Sequence, residues 1–505
     1  GTLAQACTSW LVSHCRIALS FHERMPLFYI CMVLWLCFLA AREGCNVIRE
    51  VSLPLHARIR ATQVLSILSE FYCSVEYTIL VPISYDLATA SGVNAAGSAV
   101  LISMTYGTCA LGSLLGKFVF DPQKQHSYRR TAICLVIGLS ACDLSFSALV
   151  TLHQWQGPSF FWMLVALRGL SGLFIGAIML VYQTIALTVT PTSQTQAYSI
   201  ARVAGVNFGI CVGPLLSSFI LLSFRLDSAA QSVYAKSGSP MLALAAALSI
   251  HALLASLVLL SSWQLPRGNG CCVTTAESNR LSNLDSIRRK TMMITGLIFT
   301  CIRGFSCSAI EVATAYILEL QYHWLPLGIG IGTGAAFACT TFSCTLLAIM
   351  RTRTSVTGTT MLIILMGAGA LGSCFLYNWF NASSSYWLLL SGDAIIYSSI
   401  YGIQGIIDGF VNQVYISESR LWSMRSYLVM RIVVSNLNRF IAAPLSRATI
   451  AQFGRNAYAI FQLVLLCWGN MAVLKAIKLL KPSKINQSTI LDDDGRAQST
   501  RYDAF

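Results

Sequence analysis

Residues 159–189 read SFFWMLVALRGLSGLFIGAIMLVYQTIALTV, and Arg168 is their only charged side chain. Coiled at 1.5 Å per residue, the stretch is long enough to cross the roughly 30 Å hydrocarbon layer of a bilayer. Lipid offers the backbone no water to bond, so a crossing segment must be a helix or part of a sealed barrel. Barrel strands are about ten residues of alternating polarity, and this run is neither that short nor alternating. The stretch predicts a transmembrane helix. The same reading places further spans at 62–85, 93–119, 131–152, 198–223 and 240–264, then at 291–319, 325–350, 358–379, 385–410, 427–450 and 455–480.

Composition agrees with an all-α membrane protein. The chain is 55% hydrophobic and only 11% charged, against about 25% charged in a soluble domain. The net charge of +14 does not point to nucleic acid, because the basic residues sit in short loops beside apolar spans and not in runs interleaved with aromatics. Most of the 18 cysteines, among them Cys109, Cys134, Cys142, Cys211, Cys301, Cys339 and Cys344, fall inside spans, where cysteine behaves as a small hydrophobe. No CxxC pair has metal spacing, so neither a metal site nor any other cofactor is expected. Cys271-Cys272 lies in a loop, where palmitoylation competes with an inert loop pair.

The loops also give an orientation. Lys117, Lys124, Arg129 and Arg130 follow the second span, and Arg351 and Arg353 follow the eighth. Arg420 and Arg425 follow the tenth, and Lys475, Lys478, Lys481 and Lys484 end the twelfth. The opposite loops hold little beyond Arg225, Lys236 and Arg455. The even-numbered loops and the C-terminus are therefore expected in the cytoplasm. Asn381-Ala-Ser383 falls on the other side, where glycosylation is possible. The expected organisation is an N-terminal segment (1–61), a six-helix bundle (62–264), a cytoplasmic connector (265–290) containing Arg288-Arg289-Lys290, a second six-helix bundle (291–480) and a disordered tail (481–505). Met25 to Ala41 is apolar but short, and reads as an extra N-terminal hydrophobic helix, an interfacial helix or the core of a targeting signal.

Two six-helix halves joined by a basic loop resemble the major facilitator superfamily. Gly112-Ser-Leu-Leu-Gly116-Lys117 followed by Ser127-Tyr128-Arg129-Arg130 resembles a degenerate form of that family's cytoplasmic loop signature, with Gly116 where an Asp is usual. Arg168-Gly-Leu-Ser-Gly172-Leu-Phe-Ile-Gly176 is similar to its fourth-helix motif, and Gly205-Val-Asn-Phe-Gly209-Ile-Cys-Val-Gly213-Pro214 to its antiporter-type motif. Small residues at every fourth position let helix backbones approach closely, so Gly112, Gly172, Gly209 and Gly213 read as packing sites and Pro214 as a bend. Tyr77-Thr-Ile-Leu-Val-Pro82-Ile-Ser-Tyr-Asp86, Ser435-Asn436-Leu-Asn-Arg439 and Gly454-Arg-Asn-Ala457-Tyr458 resemble the SPX-associated phosphate-permease branch and its lysosomal relatives. Met179-Leu180-Val181-Tyr182 stand where that branch's basic residues are expected.

The resemblance implies that spans one, four, seven and ten line a central cavity. Each carries a charge at depth: Glu76 about 21 Å along its span, Arg168 about 14 Å, Arg303 about 18 Å and Asp393 about 12 Å. A charge near the bilayer centre costs at least about 2.5–3.5 kcal/mol, so it normally faces a cavity or a partner. The functional expectation is a secondary carrier working by alternating access. Arg168 and Arg303 would attract a small organic or inorganic anion, with Tyr72, Tyr77, Tyr182 and Gln183 as neutral contacts. Glu76, Asp393 and Glu311 would handle protons or gating. Arg168 as a structural hub, and simple neutralisation of Arg168 and Arg303 by Glu76 and Asp393, stay open as alternatives; helix pairing is the expected role of Asp143 and Arg439. Glu70 and Glu319 are expected to be wet. The competing reading is a non-transporting channel, sensor or subunit of a larger membrane complex. An enzyme is disfavoured, since no HExxH, GxSxG or P-loop is present.

Overall fold

The structure is a computed structural model, and it describes residues 55–119, 128–152, 157–191, 194–223, 286–353, 356–379, 386–415 and 419–480. The Met25–Ala41 segment, the sixth expected span, most of the connector, the 381–383 sequon, Cys271-Cys272 and the tail lie outside them. Among the described residues there is no strand. The helices are α1 (Leu55–Thr78), α2 (Ser84–Ala90), α3 (Ala95–Val119), α4 (Tyr128–Leu152), α5 (Pro158–Val189) and α6 (Thr195–Ser223), then α7 (Ser286–Tyr322), α8 (Pro326–Arg353), α9 (Gly358–Phe375), α10 (Tyr386–Val411) and α11 (Met424–Leu480).

Ten stretches among these residues are long and apolar enough to cross a membrane. Their outward faces carry Phe118, Phe219, Phe342, Ile364, Trp468 and Met471, an apolar surface far larger than water would tolerate and suited to lipid.

Two expected boundaries shift and a third holds. The first span is not one helix: α1 stops at Thr78, a 3-10 turn follows at Val81–Ile83, and α2 resumes the path. Pro82 lacks the N–H that a continuing helix would use, so the path breaks there. Arg288-Arg289-Lys290 does not belong to a linker; it lies in the first turns of α7, where Arg289 Nε donates to the Val414 carbonyl at 3.1 Å. The last two spans meet within α11 at a break at Gly454, between the expected spans 427–450 and 455–480; its φ of 79° lies where a side chain is disfavoured.

Within the N-terminal half, α3 packs on α5 and α1 on α6; within the C-terminal half, α7 packs on α11 and α9 on α10. The halves meet where α6 packs on α8 and α10, and α3 on α11. The glycine motifs lie in the tightest of these contacts. A Cβ on Gly172 would stand 2.4 Å from the Thr105 carbonyl oxygen, and one on Gly112 only 2.1 Å from that of Leu173. Gly209 and Gly213 press in the same way on α1, at Phe71 and Val75. Pro214 sits within α6, and its carbonyl accepts from Ser217 Oγ at 2.9 Å. Gly172→Ala is therefore expected to destabilise the protein by about 1–3 kcal/mol, read as a lowered thermal unfolding midpoint in detergent. Unchanged stability would mean that α3 and α5 can separate freely.

Candidate functional site

A cavity of about 60 Å³ lies between the halves. Its wall comes from α1, α5 and α6 on one side and α7, α10 and α11 on the other. It is thus broader in origin than the four expected spans, adding α6 and α11. Three polar clusters line or adjoin it.

The first is a closed ring of hydrogen bonds and ion pairs near the end of the bundle that carries the basic loops, called the basic end below. Arg202 on α6 donates to Glu70 Oε1 at 3.1 Å and to Asp408 Oδ2 at 2.6 Å. Arg431 on α11 meets the same Asp408 oxygen at 3.0 Å and donates to Gln183 on α5, which in turn donates to Glu70. Gln404 donates to Asp408 Oδ1 at 2.5 Å, one helical turn away on α10. Two carboxylates balance two guanidiniums, and the ring stitches the two halves together. Nearby, Asn412 donates to Ser199 Oγ at 2.9 Å across the same seam. Lys117 donates to Ser426 Oγ at 3.3 Å, and Arg425 donates to the Lys117 carbonyl.

The second cluster surrounds Glu311. Tyr106 on α3 donates to its Oε2 at 2.9 Å, and Tyr397 donates to Oε1. Arg439 approaches Oε1 at 3.5 Å while donating to Tyr106 Oη at 3.1 Å and Tyr401 Oη at 2.5 Å. This cluster is also neutral and also crosses between the halves.

The third element is Arg303, on the cavity wall between the other two. It donates to Ser435 Oγ at 2.6 Å, and its guanidinium lies 5.4 Å from the centre of the Tyr401 ring. Among the described residues no carboxylate lies within ion-pair distance of it. One uncompensated positive charge therefore faces the cavity.

The remaining expected site residues divide between the cavity and the bundle. Tyr77 lines the cavity, donating to Cys109 Sγ at 3.0 Å and stacking on Tyr106. Gln183 lines it as part of the ring. Arg168 and Glu76 do not line it: they pair with each other inside the N-terminal half, with Arg168 Nη2 also donating to the Glu76 carbonyl at 2.7 Å. Tyr72 and Tyr182 are buried in that half beside Asp143. Asp393 is buried against Thr314 inside the C-terminal half. The four mid-depth charges thus occupy three separate places, because 1.5 Å steps along a helix give depth but not which way a side chain turns. Arg129 and Arg130 begin α4.

Glu70, expected to be wet, is 1% exposed and belongs to the ring. Arg439, expected to pair outer helices, joins α11 to α3, α7 and α10 and also lines the cavity. The sequence alone does not single out Arg202, Asp408, Arg431 or Gln404: the three charges lie toward span ends, where charge is cheap, and Gln404 is neutral. A spacing signal was there: Arg431, Ser435 and Arg439 recur every fourth residue, as do Gln404 and Asp408, which puts each set on one helix face. Among the described residues, no group of three His, Cys, Asp or Glu side chains is arranged to hold a metal ion.

The sequence profile of the Major Facilitator Superfamily matches residues 66–419, more than two thirds of the chain. The chain belongs to the Major Facilitator Superfamily. It is an integral, multi-pass membrane protein with the fold of a secondary transporter. Solved structures carry the same superfamily fold. The proton:xylose symporter XylE bound to 6-bromo-6-deoxy-D-glucose aligns with a TM-score of 0.62 at 13% identity, covering 85% of this chain and 97% of that one. The partially occluded, inward-open xylose transporter XylE from E. coli aligns with a TM-score of 0.61 at 13% identity, covering 85% and 99%. A D-xylose-proton symporter aligns with a TM-score of 0.60 at 13% identity, covering 84% and 97%. At that identity the likeness is one of fold. No curated protein matches this chain.

Proposed function

We propose that this superfamily member moves a small anion across the membrane by alternating access, with the cavity at Arg303 as its binding site. The carrying observation is that Arg303 faces the cavity with a hydroxyl and an aromatic ring as partners and, among the described residues, no carboxylate. A half-buried positive charge within the bilayer favours an anionic partner, and a solute anion would supply it. Hydrogen bonds to a charged group are worth about 1.5–3 kcal/mol, more than neutral ones. Tyr401, Ser435, Asn436 and Tyr77 supply neutral donors around the charge. The resemblance of residues 77–86 and 435–439 to phosphate permeases fits an anionic solute. Rocking of the bundles 62–264 and 291–480 about this cavity would expose it alternately to each side, with the basic end and the C-terminus in the cytoplasm by the positive-inside rule.

Thermal shift of the detergent-solubilised full chain tests the site. Inorganic phosphate, sulfate, chloride and short dicarboxylates form the panel, with xylose as the neutral comparison. At least one anion is expected to raise the unfolding midpoint, and Arg303→Gln is expected to weaken that anion by roughly tenfold or more. Stabilisation by xylose alone, equal in wild type and Arg303→Gln, would overturn the anion reading. Proteoliposome uptake of the anion so found then tests transport. Binding without flux would favour the sensor or subunit alternative.

A further inference from the structure

We propose that Asp393 carries an exchangeable proton in this conformation, at a site inside the C-terminal half and separate from the solute cavity. Six acids are buried among the described residues. Asp143 lies beside Tyr72 in the N-terminal half, and four others each meet an arginine within 4 Å: Glu76 meets Arg168, Glu70 meets Arg202, Asp408 meets both Arg202 and Arg431, and Glu311 meets Arg439. Asp393 has none. Its side chain is fully buried, Oδ2 accepts the Thr314 hydroxyl at 2.6 Å, and Oδ1 meets no hydrogen-bond donor among the described residues.

The charged and titratable groups that face it are few. From α7 comes Thr314, and from α11 beyond the Gly454 break come Arg455 and Tyr458. Arg455, read from the sequence as a loop charge, is buried and stays beyond ion-pair distance of Asp393. Its guanidinium donates to the Leu376 carbonyl at 2.7 Å, the Tyr377 carbonyl at 3.5 Å and Tyr322 Oη at 2.8 Å. Tyr458 Oη accepts from Gln462 at 3.2 Å. One hydroxyl cannot compensate an ionised carboxylate in such a place, where an unpaired charge costs several kcal/mol. Taking up a proton removes the charge, and the neutral acid is the form this environment holds.

The site also has a means of passing its state on. Arg455 ties the end of α9, the end of α7 and the bend of α11 together. Losing the proton would leave a buried anion facing Arg455, which would draw that guanidinium away from the carbonyls of Leu376 and Tyr377. Proton occupancy would thereby set how these three helices pack. Use of this proton in coupling rests on the transport reading above; its presence does not.

Infrared difference spectroscopy of the full chain in bilayers reads the proton without any solute. Wild type minus Asp393→Asn at neutral pH is expected to show the carbonyl stretch of a protonated carboxyl group. The band is lost on titration with base and shifts in deuterated buffer. A difference spectrum at neutral pH that contains only carboxylate bands would overturn the proposal. If Asp393→Asn fails to fold, Thr314→Val serves in its place. Removing the hydroxyl bonded to Oδ2 should then shift the same carbonyl band, and a protonated-carboxyl region identical to wild type would overturn it. A chain that binds no anion would still give a decisive result here.

Discussion

Asp408→Ala is expected to open the seam between the halves at the basic end. Asp408 accepts from Arg202 and Gln404 and pairs ionically with Arg431, so its removal leaves Glu70 alone to balance two guanidiniums that are at most 9% exposed. Breaking a buried ion pair by deleting one partner costs about 3–5 kcal/mol. The closed arrangement can escape that cost by parting, because water then reaches both arginines. At 1.4 kcal/mol per tenfold, the penalty becomes a shift of roughly a hundredfold to a few thousandfold toward the parted form. Site-resolved maleimide labelling checks this with Ser199→Cys, a position fully buried and bonded to Asn412 across the seam. Labelling should rise steeply in the Asp408→Ala background and stay low with Asp408→Glu. Equal labelling in all three would show that the ring does not hold the halves together. Neutral members of the ring weigh less: a hydrogen bond between membrane helices averages about 0.6 kcal/mol.

Glu76→Ala should have an effect of similar size but of another kind. Its carboxylate pairs with Arg168, and Ser171 Oγ donates to the same oxygen at 3.3 Å. All three residues belong to the N-terminal half, so rocking the halves apart does not by itself relieve the stranded Arg168. The expected result is a loss of about 3–5 kcal/mol in stability, with seam labelling at Ser199→Cys unchanged. Replacing both partners with apolar residues, as in Glu76→Met with Arg168→Met, should recover most of the loss, because two matched hydrophobes avoid the desolvation of both ions. Thermal unfolding of the single and double variants checks the cycle. Additive losses would mean that the two groups do not act as a pair.

The contrast between these two pairs marks the limit of reading depth from sequence. Glu76 and Asp408 are both acids within apolar spans, and the sequence ranks Glu76 as the more central. Their roles differ by which half supplies the partner, and that depends on helix rotation. Arg202 and Arg431 show the same limit, since hydropathy assigns them to span ends and the fold turns both inward. Close packing was more legible. Gly112, Gly172, Gly209 and Gly213 report a short backbone approach whatever helix lies opposite, because only a missing Cβ permits it.

By itself the sequence determined that this is an α-helical membrane protein, with the basic loops gathered at one end and a charge at depth in each of four spans. Those properties follow from the length and polarity of single segments, since lipid tests each segment against its own solvent. Only the tertiary structure decided which charges meet. It closed Glu70, Arg202, Asp408, Arg431 and Gln183 into one ring, withdrew Glu76 and Arg168 from the cavity, and left Arg303 facing it. Pairing is a property of two surfaces at once: a rotation of either helix by one residue, about 100°, would exchange its partners while leaving each segment as apolar as before.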